Sequence, residues 1–340
     1  MENTNGKLLE QLRTKRMLTQ KEVAHKSGLS QALVSGIEVG VRELTEDTKQ
    51  KVTVALGAPA DYFDTATVTG YRDGDVPMTV LGPSTKKQRD ALCVEFGELE
   101  HAAAVSPDAP APLSLFAFPF TKERGRGEKM EKIAQAGKLI RELVGEDKRG
   151  PVPDVTAAAE KIGVVVSPIG TPQSPSAVLS SPARYTTAVI AYTDIEPSDE
   201  RRFALSRELM RLCLTNSADA RLSDRTLDRV TCAFLVPPVD VKSAIGSDAP
   251  LDSFPLVKAS TGVPIHYLID WARDCGAITP AHRKRLLSHY QARGWQMEEP
   301  VEVPYEVPRL VDTVVARAPE PKVINVDFRA RKRTTGSDWG

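Results

Sequence analysis

Residues 18–43 read LTQKEVAHKSGLSQALVSGIEVGVRE, and the order of signals in this stretch decides the fold of the first part of the chain. Thr19 can cap a helix, and Glu22, three residues on, can reach back to it, which is the pattern of a capping box. Val23 and Ala24 give that helix an apolar face. Gly28 stands where the helix must stop in a left-handed conformation, and Ser30 is placed to cap the next one. Val34 and Ile37 then point inward at helical spacing, which leaves Gln31, Ala32 and Ser35 on the outer face. The spacing predicts two short helices joined by a tight glycine turn, with the outer side of the second left open.

That arrangement is a helix-turn-helix, whose second helix lies in the major groove of DNA. Residues 19–40, TQKEVAHKSGLSQALVSGIEVG, resemble the Cro/phage-repressor (XRE) helix-turn-helix family, from the Thr-Gln opening to the Ile-Glu-x-Gly exit. The resemblance implies a five-helix domain over residues 1–64 and double-stranded operator DNA as its partner. A first helix over residues 6–18 would turn Leu8, Leu9 and Leu12 inward and Arg13, Lys15 and Arg16 outward. Gly40 would cap the third helix, a further helix would run from Thr45 to Leu56, and GAPADYF would close the domain near Asp64. Near the start of the reading helix, Gln31 can pair with adenine, Ala32 can touch a thymine methyl, and Ser35 can donate or accept at several bases. Gln20 and Arg42 are better placed for phosphate. Family analogy puts Gly36 on the DNA side; a close approach to backbone is the alternative use of a residue that costs a helix about 1 kcal/mol.

The whole chain has 340 residues with 45 basic and 45 acidic side chains, so no global positive field draws it to nucleic acid, and any DNA contact must be a local patch. Cys93, Cys213, Cys232 and Cys275 are far apart with no CxxC pair, which points to buried free thiols rather than disulfides or a zinc finger. No apolar run is long enough for a bilayer. The expectation is a soluble cytoplasmic protein of the bacterial cell, associated with the nucleoid and not with a membrane.

Residues 65–83, rich in Thr, Gly, Asp and Pro, read as a linker. Residues 84–104 form an amphipathic helix, with Leu92, Phe96 and Leu99 on one side, that bridges domains or contributes to a dimer. Residues 105–127 read as a second connector with an apolar LFAFPF segment. From residue 128 the order is helix, helix, then short β-branched runs VVVSPI, SAVLSS and RYTTAVIAYT, an α+β sequence. Helices follow over VPIHYLIDWARDC and from Pro280 to Gly294, the latter capped by Thr279. An extended Pro-, Val- and Glu-rich run leads to residue 310, and a basic tail over 311–340 carries Arg329, Arg331, Lys332 and Arg333. The fold class expected is mainly α with a small β-sheet.

The stretch ERRFALSRELMRLCLT in this second unit decides its chemistry. In layout, residues 128–310 resemble the ImmA/IrrE family, a metallopeptidase (zincin-like) fold often placed behind a repressor-type helix-turn-helix. Arg202, Phe203 and Leu205 match the lead-in, and CAFLVPP with Pro237 matches the close. Arg207 and Arg211 stand where that family has two histidine ligands, Glu208 keeps the glutamate, and Asp224 takes the place of the third, acidic ligand. Arginine has no lone pair to offer and stays charged, so the pair would repel zinc. Glu208 and Asp224 are expected to pair with the two arginines instead. The five histidines, His25, His101, His266, His282 and His289, show no ligand spacing. The expectation is thus no metal, no cofactor and no catalysis in this unit. It would serve as a scaffold for a homodimer, or use the arginine pair as a pocket for a small anionic ligand or a regulatory protein. The function expected is a DNA-binding regulator, most of all a phage or prophage immunity repressor. A metallopeptidase that cleaves a repressor and an antitoxin-like autoregulator are the alternatives.

Overall fold

The computed structural model describes residues 3–110, 130–182, 187–214 and 222–315. The first five helices are α1 (Thr4–Lys15), α2 (Gln20–Ser27), α3 (Gln31–Glu38), α4 (Glu46–Leu56) and α5 (Tyr62–Thr65). They close around Leu8, Leu9, Leu12, Val23, Ala24, Val34, Ile37, Val52 and Phe63. α1 begins two residues earlier than the sequence pattern places it because Asn3 caps it, its Oδ1 accepting from the Gly6 N–H at 3.1 Å. The same Asn3 amide donates to the Ile37 and Glu38 carbonyls, tying α1 to the end of α3. α4 starts at the Thr45 cap and ends at Gly57.

Residues 65–83 are more than a linker. Residues 78–80 form β1 (Met78–Val80), the edge of a four-stranded sheet with β2 (Val165–Pro168), β3 (Ala177–Ser180) and β4 (Val189–Tyr192) in the order β1-β3-β4-β2. β1 runs antiparallel to β3, with Thr79 opposite Val178, and β2 runs parallel to β4. A three-residue strand in a Gly- and Pro-rich stretch carries no alternation to read; pairing with β3 alone makes it a strand.

The expected bridging helix is likewise part of this fold. α6 (Lys86–Val105) packs Leu92, Cys93 and Phe96 with Val165, Ala177, Leu179, Val189 and Ala191 on one face of the sheet. The alternate strand residues Val166, Val178, Ile190 and Tyr192 face the larger core on the other side. Both faces are covered, which explains why the strands read as continuous apolar runs.

The larger core is built by α7 (Met130–Leu143), α8 (Val155–Lys161), α9 (Ser198–Leu214), α10 (Asp224–Leu235), α11 (Pro238–Ala244), α12 (Phe254–Thr261), α13 (Ile265–Asp274) and α14 (Pro280–Ala292). α9 runs through its centre, with Phe203, Leu209 and Met210 buried. α7 and α10 approach so closely that a Cβ on Gly137 would lie 2.7 Å from the Ala233 carbonyl carbon. Trp271 anchors α13 by donating its indole N–H to the Val236 carbonyl at 2.8 Å.

The extended run after Glu299 lies along this core. Glu306 accepts from the Thr156 N–H and hydroxyl and pairs with Arg202. Glu160 accepts from the Arg309 and Leu310 N–H groups, both at 2.8 Å, and starts α15 (Leu310–Val314). Val311 and Val314 are buried in the cluster on the α6 side of the sheet, so the segment expected as tail from residue 311 begins with a docked helix. The LFAFPF segment and the Arg329 to Arg333 cluster lie outside the described residues.

The helix-turn-helix seats on α6 through α1. Lys15 pairs with Glu98 at 2.5 Å, the Gln11 amide donates to Glu98 and to the Thr67 carbonyl, and Arg72 pairs with Glu10 at 2.9 Å. Lys15 is therefore tied to α6 rather than simply turned outward.

Candidate nucleic-acid interface and the charged cluster on the central helix

The DNA-facing candidate is assembled by local signals. Thr19 and Glu22 form the reciprocal capping box, with the Glu22 carboxylate accepting from the Thr19 N–H at 2.7 Å. Those hydrogen bonds, backbone first, hold the Glu22 carboxyl below its ordinary range. Gly28 ends α2 at φ +68°, in the left-handed region that favours glycine, and the Ser30 hydroxyl accepts from the Leu33 N–H at 3.2 Å to start α3. Val34 and Ile37 are fully buried, whereas Gln31 and Ala32 are exposed and Ser35 is half-buried at the same surface.

A buried carboxylate fixes the relative positions of these helices. Glu38 accepts from Arg13 through Nε at 2.6 Å and Nη2 at 3.0 Å, and from the Gln20 amide at 2.8 Å. Arg13 thus turns inward to Glu38 instead of outward. Gln20, which position alone assigns to phosphate, has its amide engaged within the domain. Arg42 is exposed and lies across α3.

Gly36 follows exposed Ala32 by one helical turn and is itself buried, beneath the Arg42 stem. A Cβ there would sit 2.7 Å from Arg42 Cγ, and its carbonyl accepts from the Val41 and Arg42 N–H groups. The missing side chain makes room for the Arg42 stem. A Gly36→Ala variant is expected to lower its melting temperature, because a Cβ 2.7 Å from Arg42 Cγ forces the base of that side chain and its turn to shift, at about 1–3 kcal/mol against about 1 kcal/mol gained in helix propensity. The displaced Arg42 should at the same time weaken duplex binding. Calorimetry alongside fluorescence anisotropy with labelled duplex checks both, and unchanged affinity would remove Arg42 from the interface.

The second constellation centres on α9. Glu208 is fully buried and accepts from three donors on separate parts of the structure: the Thr79 hydroxyl at 2.6 Å, the Ser180 hydroxyl at 2.7 Å and Arg211 Nε at 3.0 Å. Arg207 donates to Asp228 at 2.7 Å, to Asp224 at 2.6 Å and to the Thr79 hydroxyl at 2.6 Å. Burial works against the Arg207 cation, but Asp228 and Asp224 more than offset it and keep the guanidinium charged. The sequence pattern anticipates that Glu208 and Asp224 pair with the two arginines; Asp224 pairs with Arg207 and Glu208 with Arg211.

Three partners in this network escape a sequence reading. Asp228 follows Asp224 by one helical turn, a spacing that could have revealed it. Thr79 and Ser180 are brought in by β1 and β3 and leave no local signal. The donor set does not fit zinc: Arg207 and Arg211 offer no lone pair and are cations already bound to carboxylates. Among the described residues, no group of three His, Cys, Asp or Glu side chains could hold a metal ion.

Beside Asp228 opens a cleft of about 530 Å³ whose walls include Arg229, His266, Tyr267, Asp270 and Asp274. Its arginines are paired within the chain, Arg229 and Arg273 with Asp274 at 3.1 and 2.9 Å and Arg283 with Asp270. A second buried cluster joins Lys258 to Asp199 at 2.8 Å and to Glu299 at 3.0 Å, with Glu299 also accepting from the Ile265 N–H and Tyr290.

Comparison with known proteins bears on the first of these sites. A helix-turn-helix family model matches residues 9–63, which span α1 in large part and α2 to α4 entirely. The chain therefore carries a helix-turn-helix DNA-binding domain of the XRE type at its start. No curated protein and no solved structure matches the chain. Among the described residues no helix is long and apolar enough to cross a membrane.

Proposed function

We propose that this chain is a transcriptional repressor that binds operator DNA through α3, in the manner of a phage or prophage immunity protein. Its larger half acts as a peptidase-like scaffold without catalysis. The observation that carries the DNA reading is the outer surface of α3: Gln31, Ala32 and Ser35 lie there while Val34 and Ile37 lock the helix from beneath. A single short helix reads few base pairs, so useful selectivity calls for two chains on two half-sites.

The scaffold reading rests on the chemistry around Glu208. Arg207 already binds two carboxylates of its own chain, which favours a fixed cross-link over a pocket that captures an outside anion. Stoichiometric zinc in the purified protein, with peptidase activity lost on Glu208→Gln, would instead support the metallopeptidase alternative.

The test of DNA reading is selection of duplexes from a randomised pool by the full chain, followed by footprinting upstream of its own gene. Each good bidentate base contact is worth about 1–3 kcal/mol of discrimination. Gln31→Ala is therefore expected to lower affinity for the selected duplex by roughly 5- to 150-fold while leaving binding to unrelated duplex nearly unchanged. Ser35→Ala should have a smaller effect of the same kind. If Gln31→Ala and Ser35→Ala together leave sequence selectivity intact, α3 is not the reading element.

A further inference from the structure

The first turn of α6 lies next to the reading surface. Lys86 and Lys87 line a groove of about 620 Å³ together with Thr19, Gln20 and Lys21 from the start of α2 and Gln31 from the start of α3. Both lysines and Lys21 are exposed, and neither Lys86 nor Lys87 is in an ion pair among the described residues. The other charged groups of the groove are occupied: Arg13 binds Glu38, and Asp90 accepts from the Asp73 N–H at 2.9 Å. Glu22, close enough for Lys87 to act on its charge, is held by Thr19. Among the described residues that line the groove, the lysines are thus the free charges.

We propose that Lys86 and Lys87 grip the phosphate backbone of the same duplex that α3 reads, so that the larger half of the chain takes part in DNA binding. This rests on the DNA reading proposed above. When a recognition helix enters the major groove, the helix before it crosses the backbone. Groups bordering the start of α2 and the first residue of α3 therefore lie over that strand. Lys86 and Lys87 continue this border. α6 is held by the sheet core on one side and by Gln11 and Lys15 on the other, so the lysines are presented on a rigid support. Little ordering remains to be done on binding. A chain with no net charge gains its attraction to DNA from local patches of this kind.

The experiment uses the full chain, a duplex that it selects from a randomised pool and an unrelated duplex, with affinity measured across a salt series. For Lys86→Ala, Lys87→Ala we expect weaker binding to both duplexes by a similar factor. The plot of log affinity against log salt should become shallower by about 0.9 for each phosphate that is no longer neutralised. Lys86→Arg, Lys87→Arg should retain the wild-type slope, since charge and reach are kept. Gln31→Ala should do the reverse of the alanine pair, reducing the preference for the selected duplex and leaving the slope alone. A slope and affinity unchanged in the alanine pair, with wild-type binding and selectivity intact, would overturn the lysine grip and spare the DNA reading. Absence of duplex binding by the wild type would overturn both.

Discussion

Glu208→Ala is expected to destabilise the larger half of the chain by about 3–5 kcal/mol, the cost of breaking a buried ion pair by removing one partner. The carboxylate has no exposure to solvent and is the acceptor for Arg211, Thr79 and Ser180. Without it, two hydroxyls and a guanidinium nitrogen lose their acceptor, and a cavity is left between α9 and the sheet. Glu208→Gln keeps an acceptor oxygen for one hydroxyl but gives up the charge that Arg211 needs. It should fall between alanine and wild type, about 1–3 kcal/mol down. Urea unfolding followed by tryptophan fluorescence measures this, because Trp271 sits in the same core. An alanine variant within 1 kcal/mol of wild type, on the order of an ordinary surface substitution, would contradict a structural role for Glu208. Added zinc should leave the wild-type midpoint where it is; a rise would mean that the cluster binds metal.

The second large effect is expected at Lys258. Its side chain is 1% exposed, and the ammonium sits between Asp199 and Glu299, whose side chains are 2% and 7% exposed. Lys258→Met removes the only cation in direct contact with Asp199 among the described residues and leaves two buried carboxylates facing one another. A loss of about 3–5 kcal/mol at neutral pH follows. The pH dependence makes the cause visible. In the wild type, burial pushes the Glu299 carboxyl up, but the bonds from His266, the Ile265 N–H and Lys258 overcome this and hold it at about 2, below its ordinary 4.5. A carboxyl held low contributes stability above about pH 4.5, and that contribution is lost as pH falls toward 2. His266 runs the other way: burial opposes its charge, but Glu299 and Glu200 raise it above 6.5. Its contribution is complete below pH 6.5 and fades as pH rises through the raised value. Wild type should therefore draw most from this cluster between pH 4.5 and 6.5. In Lys258→Met the Glu299 carboxyl loses a cation that helps to hold it low, so the variant should recover part of its deficit on acidification. A deficit that does not change with pH would mean that Lys258 contributes through packing alone.

The helix-turn-helix is legible in the sequence because every signal that builds it is local. Thr19 and Glu22, Gly28, and Ser30 with Leu33 interact across four residues or fewer, and each is visible as a spacing. The same holds for the Arg207, Glu208 and Arg211 positions on one helix. What a linear reading cannot show is what long-range pairing creates. Met78–Val80 becomes a strand only against β3, and α6 becomes the cover of a sheet whose other strands come from residues 165–192. The burial of Gly36 is hidden for a related reason: its neighbour Arg42 folds back over it from beyond the end of α3. Arg13 reads as solvent-facing because its partner, Glu38, lies two helices away.

The position of β1 bears on how such a protein can be cut and recombined. An exchange of the first 83 residues for another DNA reader would also carry away the sheet's edge strand, stripping hydrogen bonds from β3 and the Thr79 hydroxyl from Glu208. The two halves are therefore not interchangeable cassettes: a chimera joined at this seam would inherit a frayed sheet, whereas one joined just after α5 would keep it whole.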